Sequence, residues 1–139
     1  MKTVMCFGTF DLLHLGHLHY LQQAKKYGDY LIVVIATDKT KQTQHKKTIF
    51  SEQERCVLIQ SLKIVDEAVI GYPDDHFRII VEKKPDLICL GYDHPISEEK
   101  ITHELAQRNL FPKIVRAAAY QPDRYKSSKI KNTLTKKAN

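Results

Sequence analysis

Short apolar runs recur along this chain at intervals long enough to hold a helix, and that alternation restricts the fold more than any other feature. Val4–Phe7 closes on Gly8, Tyr30–Thr37 (YLIVVIAT) is rich in β-branched residues, and Glu67–Ile70, Leu87–Leu90 and Lys113–Val115 follow. Such short runs match strands buried on both faces, as in a parallel sheet. The segments between them carry helical signals. Leu15, Leu18, Leu21 and Ala24–Lys25 keep helical spacing and stop before Gly28, which reads as a left-handed terminator. Ser51-Glu52-Gln53-Glu54 has the form of a capping box ahead of Cys56, Val57 and Ile59. Further helices are expected over Asp75–Lys83, stopped by Pro85, over Glu98–Asn109 and over Ser127–Thr135, whereas Asp38–Thr48 reads as a polar, lysine-bearing loop. The order β-α-β-α-β-α-β-α-β-α predicts an α/β fold. It is one Rossmann-like domain over residues 1–139, with a five-stranded parallel sheet covered by helices on both faces and a frayed tail at 136–139. Ligands of open parallel sheets bind beyond the carboxyl ends of the strands.

Composition removes several classes of function. The chain's 139 residues are one domain's worth, and 42% hydrophobic with 27% charged residues excludes collagenous and disordered chains. No apolar run approaches the roughly 20 residues of a membrane span. The first residues enter a strand with no signal-peptide layout, so the cytoplasm is the expected compartment and no membrane partner is expected. Cys6, Cys56 and Cys89 have no CxxC spacing and each lies in an apolar segment, as buried reduced thiols do. The net charge of +6 is concentrated in Lys39–Lys47 and Arg124–Lys137 and favours an anionic partner. A nucleic-acid-binding module would use that charge, but no RNA-binding fingerprint is visible and nucleic acid is not the expected partner.

The most informative stretch follows the first strand: Gly8-Thr9-Phe10-Asp11, then His14-Leu15-Gly16-His17 opening the first helix. A helix N-terminus offers unpaired N–H groups and the positive end of a dipole to phosphate. Gly8 is expected to permit the sharp exit from the strand, and Gly16 the close approach of a ligand. His14 and His17, three apart, can each offer a ring N–H to one anion. A metal cluster of His14, His17 and His19 is disfavoured, because no further Cys or His stands at ligand spacing nearby and the basic surroundings repel a cation. No metal held by protein side chains is expected.

Gly8 to His17 resembles the GTFDxxHxGH signature of the cytidylyltransferase-like nucleotidyltransferases, a HUP-type Rossmann-like superfamily. The likeness continues through Ser51–Arg55, Val65–Val69, Leu90-Gly91-Tyr92-Asp93 and Ser127-Ser128-Lys129-Ile130. Within the superfamily the chain is similar to two groups, archaeal-type FAD synthase and glycerol-3-phosphate cytidylyltransferase. The run from Leu90–Asp93 through Gln107-Arg108-Asn109, Ile114-Val115-Arg116 and Tyr120 is closer to the FAD synthases. Leu15 departs from the Pro that they often carry, and Lys126 stands where a third Ser is expected.

The resemblance implies transfer of AMP from ATP to FMN, giving FAD and pyrophosphate; the alternatives are CDP-glycerol from CTP and glycerol 3-phosphate, or nucleotidyl transfer to another phosphate acceptor. A phosphate monoester is already largely ionised near neutral pH, so catalysis reduces to alignment and neutralisation of charge. It implies that His14 and His17 are catalytic and that Thr9, Phe10, His14, Leu15, Gly16, His17, Asp93 and Tyr120 hold the nucleotide. Lys46, Arg116, Ser127 and Ser128 are expected at the triphosphate, with Lys47 and Arg55 as further phosphate candidates. A divalent cation (Mg or similar) is expected to arrive with the nucleotide, and a homodimer is implied. An isoalloxazine ring would need an apolar pocket, for which Phe7, Phe10, Phe50 and Tyr72 are candidates.

Overall fold

The computed structural model describes residues 1–120 together with Ile130 and Lys131. Five strands, β1 (Thr3–Gly8), β2 (Tyr30–Ile35), β3 (Glu67–Ile70), β4 (Leu87–Leu90) and β5 (Lys113–Arg116), form one sheet in the order β3-β2-β1-β4-β5. Every pairing is parallel. The helices are α1 (Leu15–Lys25), α2 (Asp38–Thr43), α3 (Glu52–Gln60), α4 (Arg78–Lys83) and α5 (Glu98–Ala106).

Alternate residues of each strand divide the core. Val4, Cys6, Leu31, Val33, Leu87 and Cys89 meet Leu21 and Ala24 of α1 and Ile59 of α3 on one face. Met5, Ile32, Val34, Ile88 and Leu90 meet Ile79 and Ile80 of α4 and Ile101 and Leu105 of α5 on the other. Both faces of the sheet are therefore buried, which is why its strands read as continuous apolar runs.

Strand order reverses between β1 and β4, and there the sheet opens. Their pairing ends at Cys6↔Cys89, whereas β1 continues beside β2 to Gly8↔Ile35. The Tyr20 hydroxyl of α1 fills the gap, accepting from the Phe7 N–H at 3.1 Å and donating to the Cys89 carbonyl at 2.6 Å. Burial pushes the phenol's pKa up, so the group remains a donor. Cys6 and Cys89 are buried beside it; desolvation raises both thiols, Cys89 to about 11, and keeps them protonated.

Several local expectations are corrected. Asp38–Thr43 is a short helix rather than loop, capped by the Thr37 hydroxyl, which accepts from the Thr40 N–H. It buries no residue, so no apolar periodicity announced it. α4 begins at Arg78, not Asp75; the Asp75 carboxylate instead accepts from the Phe77 N–H and pairs with Arg108. α5 ends at Ala106, and Asn109 turns the chain with a positive φ of 62°. Gly28 is not a left-handed terminator, since no glycine among the described residues has positive φ. A Cβ there would stand 2.7 Å from both the Lys2 carbonyl oxygen and a Val4 methyl, so close approach to β1 requires the glycine. The expected helix over Ser127–Thr135 and the tail at 136–139 lie outside the described residues, apart from Ile130 and Lys131, which are helical.

Candidate active site

A cleft of about 670 Å³ lies over the carboxyl ends of the strands, within the size range of small-molecule sites. Its floor is the turn after β1. There Phe10, not a glycine, adopts the left-handed conformation, with φ 52°. A bulky residue is strained in this conformation and persists only where its surroundings impose it. Contacts on Phe10 and on both residues flanking it do so. The Phe10 ring lies on Gly8, where a Cβ would come within 2.5 Å of it, and its edge meets the His17 ring at 5.2 Å. Arg55 holds the Thr9 carbonyl at 2.8 Å. Asp11, 2% exposed, accepts from the Ile49 and Phe50 amides and pairs with Lys131. Gly8 is thus required by the ring stacked on it rather than by its own backbone angles. Burial pushes the Asp11 carboxyl upward, but the bonds from Lys131 and the two amides outweigh this and hold it below the usual range.

The two histidines cap α1 with their side chains. His14, extended at the N-cap, accepts on Nδ1 from the Gly16 N–H at 3.1 Å, and His17 Nδ1 accepts from the His14 N–H at 3.3 Å. His-x-x-His here is a reciprocal capping box in which imidazole replaces hydroxyl and carboxylate. Both Nδ1 atoms are acceptors, so each neutral ring carries its proton on Nε2. The rings stack at 3.8 Å with 21° between planes. Burial, followed by the neighbouring His14, lowers His17 to about 3, and burial lowers His14. The pair is neutral at physiological pH and carries its protons on Nε2 beside a helix N-terminus, donor polarity of the kind that suits a polyphosphate; the Nε2 of His14 is itself shielded from solvent.

His17 therefore titrates near 3 in the folded chain and at the ordinary value near 6.5 in the unfolded one. Between those values the unfolded chain binds more protons, so stability is complete above pH 6.5 and falls as the pH drops toward 3. Between pH 6.5 and 4.5 this histidine alone should withdraw about 2 kcal/mol. Thermal unfolding across that window should show a declining Tm in the parent and a distinctly shallower decline in His17→Asn. Parallel declines would refute the assignment.

Lysines gather at the cleft's mouth. Lys41, Lys46, Lys47 and Lys131 all line it. Burial lowers the Lys41 pKa, and the charges of Lys46, Arg55 and Lys131 lower it further, so the cluster gains from a bound anion.

Thr9, Phe10, His14, Gly16, His17, Lys46, Lys47, Asp93 and Tyr120 line this one cleft, as does the set Lys41, Thr37, Thr40, Gln44 and Tyr20 that sequence reasoning passed over. Leu15 does not line it and is 52% exposed on the outer side of α1. Arg116 does not line it either. Its guanidinium grips Glu98 and the carbonyls of Gly91, His94 and Ile96, organising the loop that carries Asp93. Arg55, expected as a phosphate ligand, is 0% exposed and cannot reach one. Ser127 and Ser128 lie outside the described residues. Among the aromatic candidates, Phe7, Phe10 and Tyr72 line the cleft and Phe50 does not.

No group of three or more His, Cys, Asp or Glu arranged to hold a metal occurs among the described residues. The Nδ1 atoms of His14 and His17 and the carboxylate of Asp11 are engaged within the protein. No helix among the described residues is long and apolar enough to cross a membrane.

A parallel sheet in the order β3-β2-β1-β4-β5 with a His-x-x-His turn at its switch point has the architecture of an α/β nucleotidyltransferase. The family model for cytidylyltransferase-like proteins matches residues 5–133, and the chain belongs to that family. It is 44% identical over 131 residues to the FAD synthase of Picrophilus torridus, covering 94% of each chain. It is 41% identical to that of Thermoplasma volcanium, covering 96% of this chain and 94% of the other. A crystal structure described as the lipopolysaccharide core biosynthesis protein of Thermoplasma volcanium superposes with a TM-score of 0.85 at 44% identity, over 87% of this chain and 99% of that one. The pantoate-beta-alanine ligase of Francisella tularensis shares the fold, with a TM-score of 0.57 at 15% identity over 94% and 67% of the two chains.

Proposed function

We propose that the protein is an FAD synthase, transferring AMP from ATP to FMN with release of pyrophosphate. The observation that carries the acceptor is the cleft's second wing. On the face of the sheet that α4 covers, the cleft is walled by the half-buried rings of Phe7, Tyr72 and Phe77, seated on Ile79 and Ile80 of the core. A flat isoalloxazine can cover such a wall, whereas glycerol 3-phosphate would leave it wet. The names of the relatives support the same reading.

In this reading the triphosphate lies at the start of α1. His14 and His17 direct their Nε2–H groups to the α-phosphate oxygens, where charge develops as the FMN phosphate oxygen attacks and the bond to pyrophosphate breaks. Lys41, Lys46, Lys47 and Lys131 offset the charge of the acceptor phosphate and of the departing pyrophosphate. Thr9, Phe10, Asp93 and Tyr120 border the nucleoside, and Ser127 and Ser128 belong to the triphosphate end. A divalent cation bound to the triphosphate supplies further charge neutralisation. The protein acts in the cytoplasm, where both substrates occur, as a homodimer; exposed Ile49, Val57 and Leu58 are in keeping with a partner surface.

Incubation of the reduced protein with Mg²⁺, ATP and FMN, beside a second tube with CTP and glycerol 3-phosphate, tests this by chromatography of products. FAD and pyrophosphate are expected in the first tube only, and EDTA should abolish their formation. CDP-glycerol in the second tube would move the assignment to the cytidylyltransferases, and full activity after exhaustive chelation would remove the cation.

A further inference from the structure

The sheet's hydrogen-bond ladder ends one residue after β5, where the Ala117 N–H donates to the Leu90 carbonyl at 2.8 Å. At Ala118 a side chain takes the place of a strand. Gln23, on α1, accepts from the Ala118 N–H on Oε1 at 3.0 Å and donates to the Ala118 carbonyl from Nε2, also at 3.0 Å. Its amide orientation is therefore fixed by both backbone groups of one residue. The same Nε2 lies 2.9 Å from His19 Nδ1, and the His19 ring stacks on Tyr120 at 4.6 Å with 19° between planes. The face of α1 that carries Gly16, His19 and Gln23 thus clamps Ala118–Tyr120 along the rim of the cleft.

Ala117, Ala118 and Tyr120 line that cleft, along with Asp93, on the β4–β5 side of the helix N-terminus. With the phosphates at His14 and His17 and the apolar wing on the face that α4 covers, the nucleoside has this rim to lie against. A backbone edge discriminates between bases only if it is held in register.

We infer that Gln23 is a positioning residue for nucleotide selectivity: by bonding both backbone groups of Ala118 and orienting His19 against Tyr120, it holds the wall that receives the base. The inference rests on the nucleotidyltransferase reading but not on FMN as acceptor.

Calorimetry with three probes separates this role from a structural one: an unreactive α,β-methylene analogue of ATP, the corresponding CTP analogue and inorganic tripolyphosphate. In Gln23→Leu, which keeps the bulk and removes the amide with its three hydrogen bonds to Ala118 and His19, the ATP analogue should bind at least about fivefold more weakly. Tripolyphosphate, which has no base, should bind within about twofold of the parent, and the preference between the two nucleotide analogues should narrow. In turnover the change should appear in KM for ATP and not in KM for the acceptor. Equal weakening of nucleotide and tripolyphosphate, or no weakening of either, would overturn the inference. If Gln23→Leu does not fold, Gln23→Glu carries the same test, because it keeps an acceptor for the Ala118 N–H and loses both donated bonds. A parent whose ATP binding depends on Gln23 in this way but which makes no FAD would refute the acceptor and leave this role standing.

Discussion

Replacing His17 by alanine should lower turnover by about 10²- to 10³-fold while the domain still folds, the loss usual for removing one preorganised donor to a developing oxyanion. The neutral His17 ring accepts the His14 N–H on Nδ1, so Nε2 is the atom that carries the proton. That orientation is enforced from two sides, by the stacked His14 ring and by the edge of Phe10. In solution an imidazole near neutrality is a mixture of protonation states and tautomers; here one donor state is selected before substrate arrives. Its removal should cost the fold only about 1 kcal/mol, the scale of a lost helix cap. Steady-state assays with thermal unfolding as control give the comparison. Turnover within tenfold of the parent, from a normally folded variant, would exclude His17 from the chemistry.

The His-x-x-His turn was legible in the sequence because its elements are local: a strand ending, a helix start and two histidines within one turn all fall inside ten residues. The Ser51 cap was legible for the same reason, and in the structure Ser51 and Glu54 do bond reciprocally. What escaped depends on partners far along the chain. Gly28 is fixed by β1, and the strained Phe10 by Arg55 and Gly8. Gln23 meets a backbone 95 residues away. Charge misled for a related reason. Arg55 and Arg116 looked like phosphate ligands, yet each guanidinium is surrounded by carbonyl oxygens that its own fold supplies, and sequence does not reveal where a side chain finds acceptors.

Arg55→Met should destabilise the domain by about 3–5 kcal/mol, the scale expected for leaving three carbonyls without their donors at about 1–3 kcal/mol each, the half-exposed Asp38 adding little. The Arg55 guanidinium donates to the carbonyls of Phe50, Thr9 and Ala36 at 3.1, 2.8 and 2.8 Å and pairs with Asp38 at 2.7 Å. Those four acceptors belong to the turn after β1, the end of β2, the start of α2 and the entrance to α3. One buried cation therefore ties together the elements that bring Lys41, Lys46, Lys47 and the histidine turn to the cleft. Methionine fills the volume but leaves three carbonyls without these donors and Asp38 without its cation. At this chain length the loss should lower Tm by roughly 10–15 °C. Arg55→Lys keeps the charge but offers one nitrogen where a planar fork reaches several acceptors, so it should fall between Met and the parent. Activity below the melting range should fall as well, because releasing the Thr9 carbonyl removes one of the contacts that hold Phe10 in its strained conformation beneath His17. A Tm within about 3 °C of the parent would mean that the carbonyls find other donors and that the turn is held without Arg55.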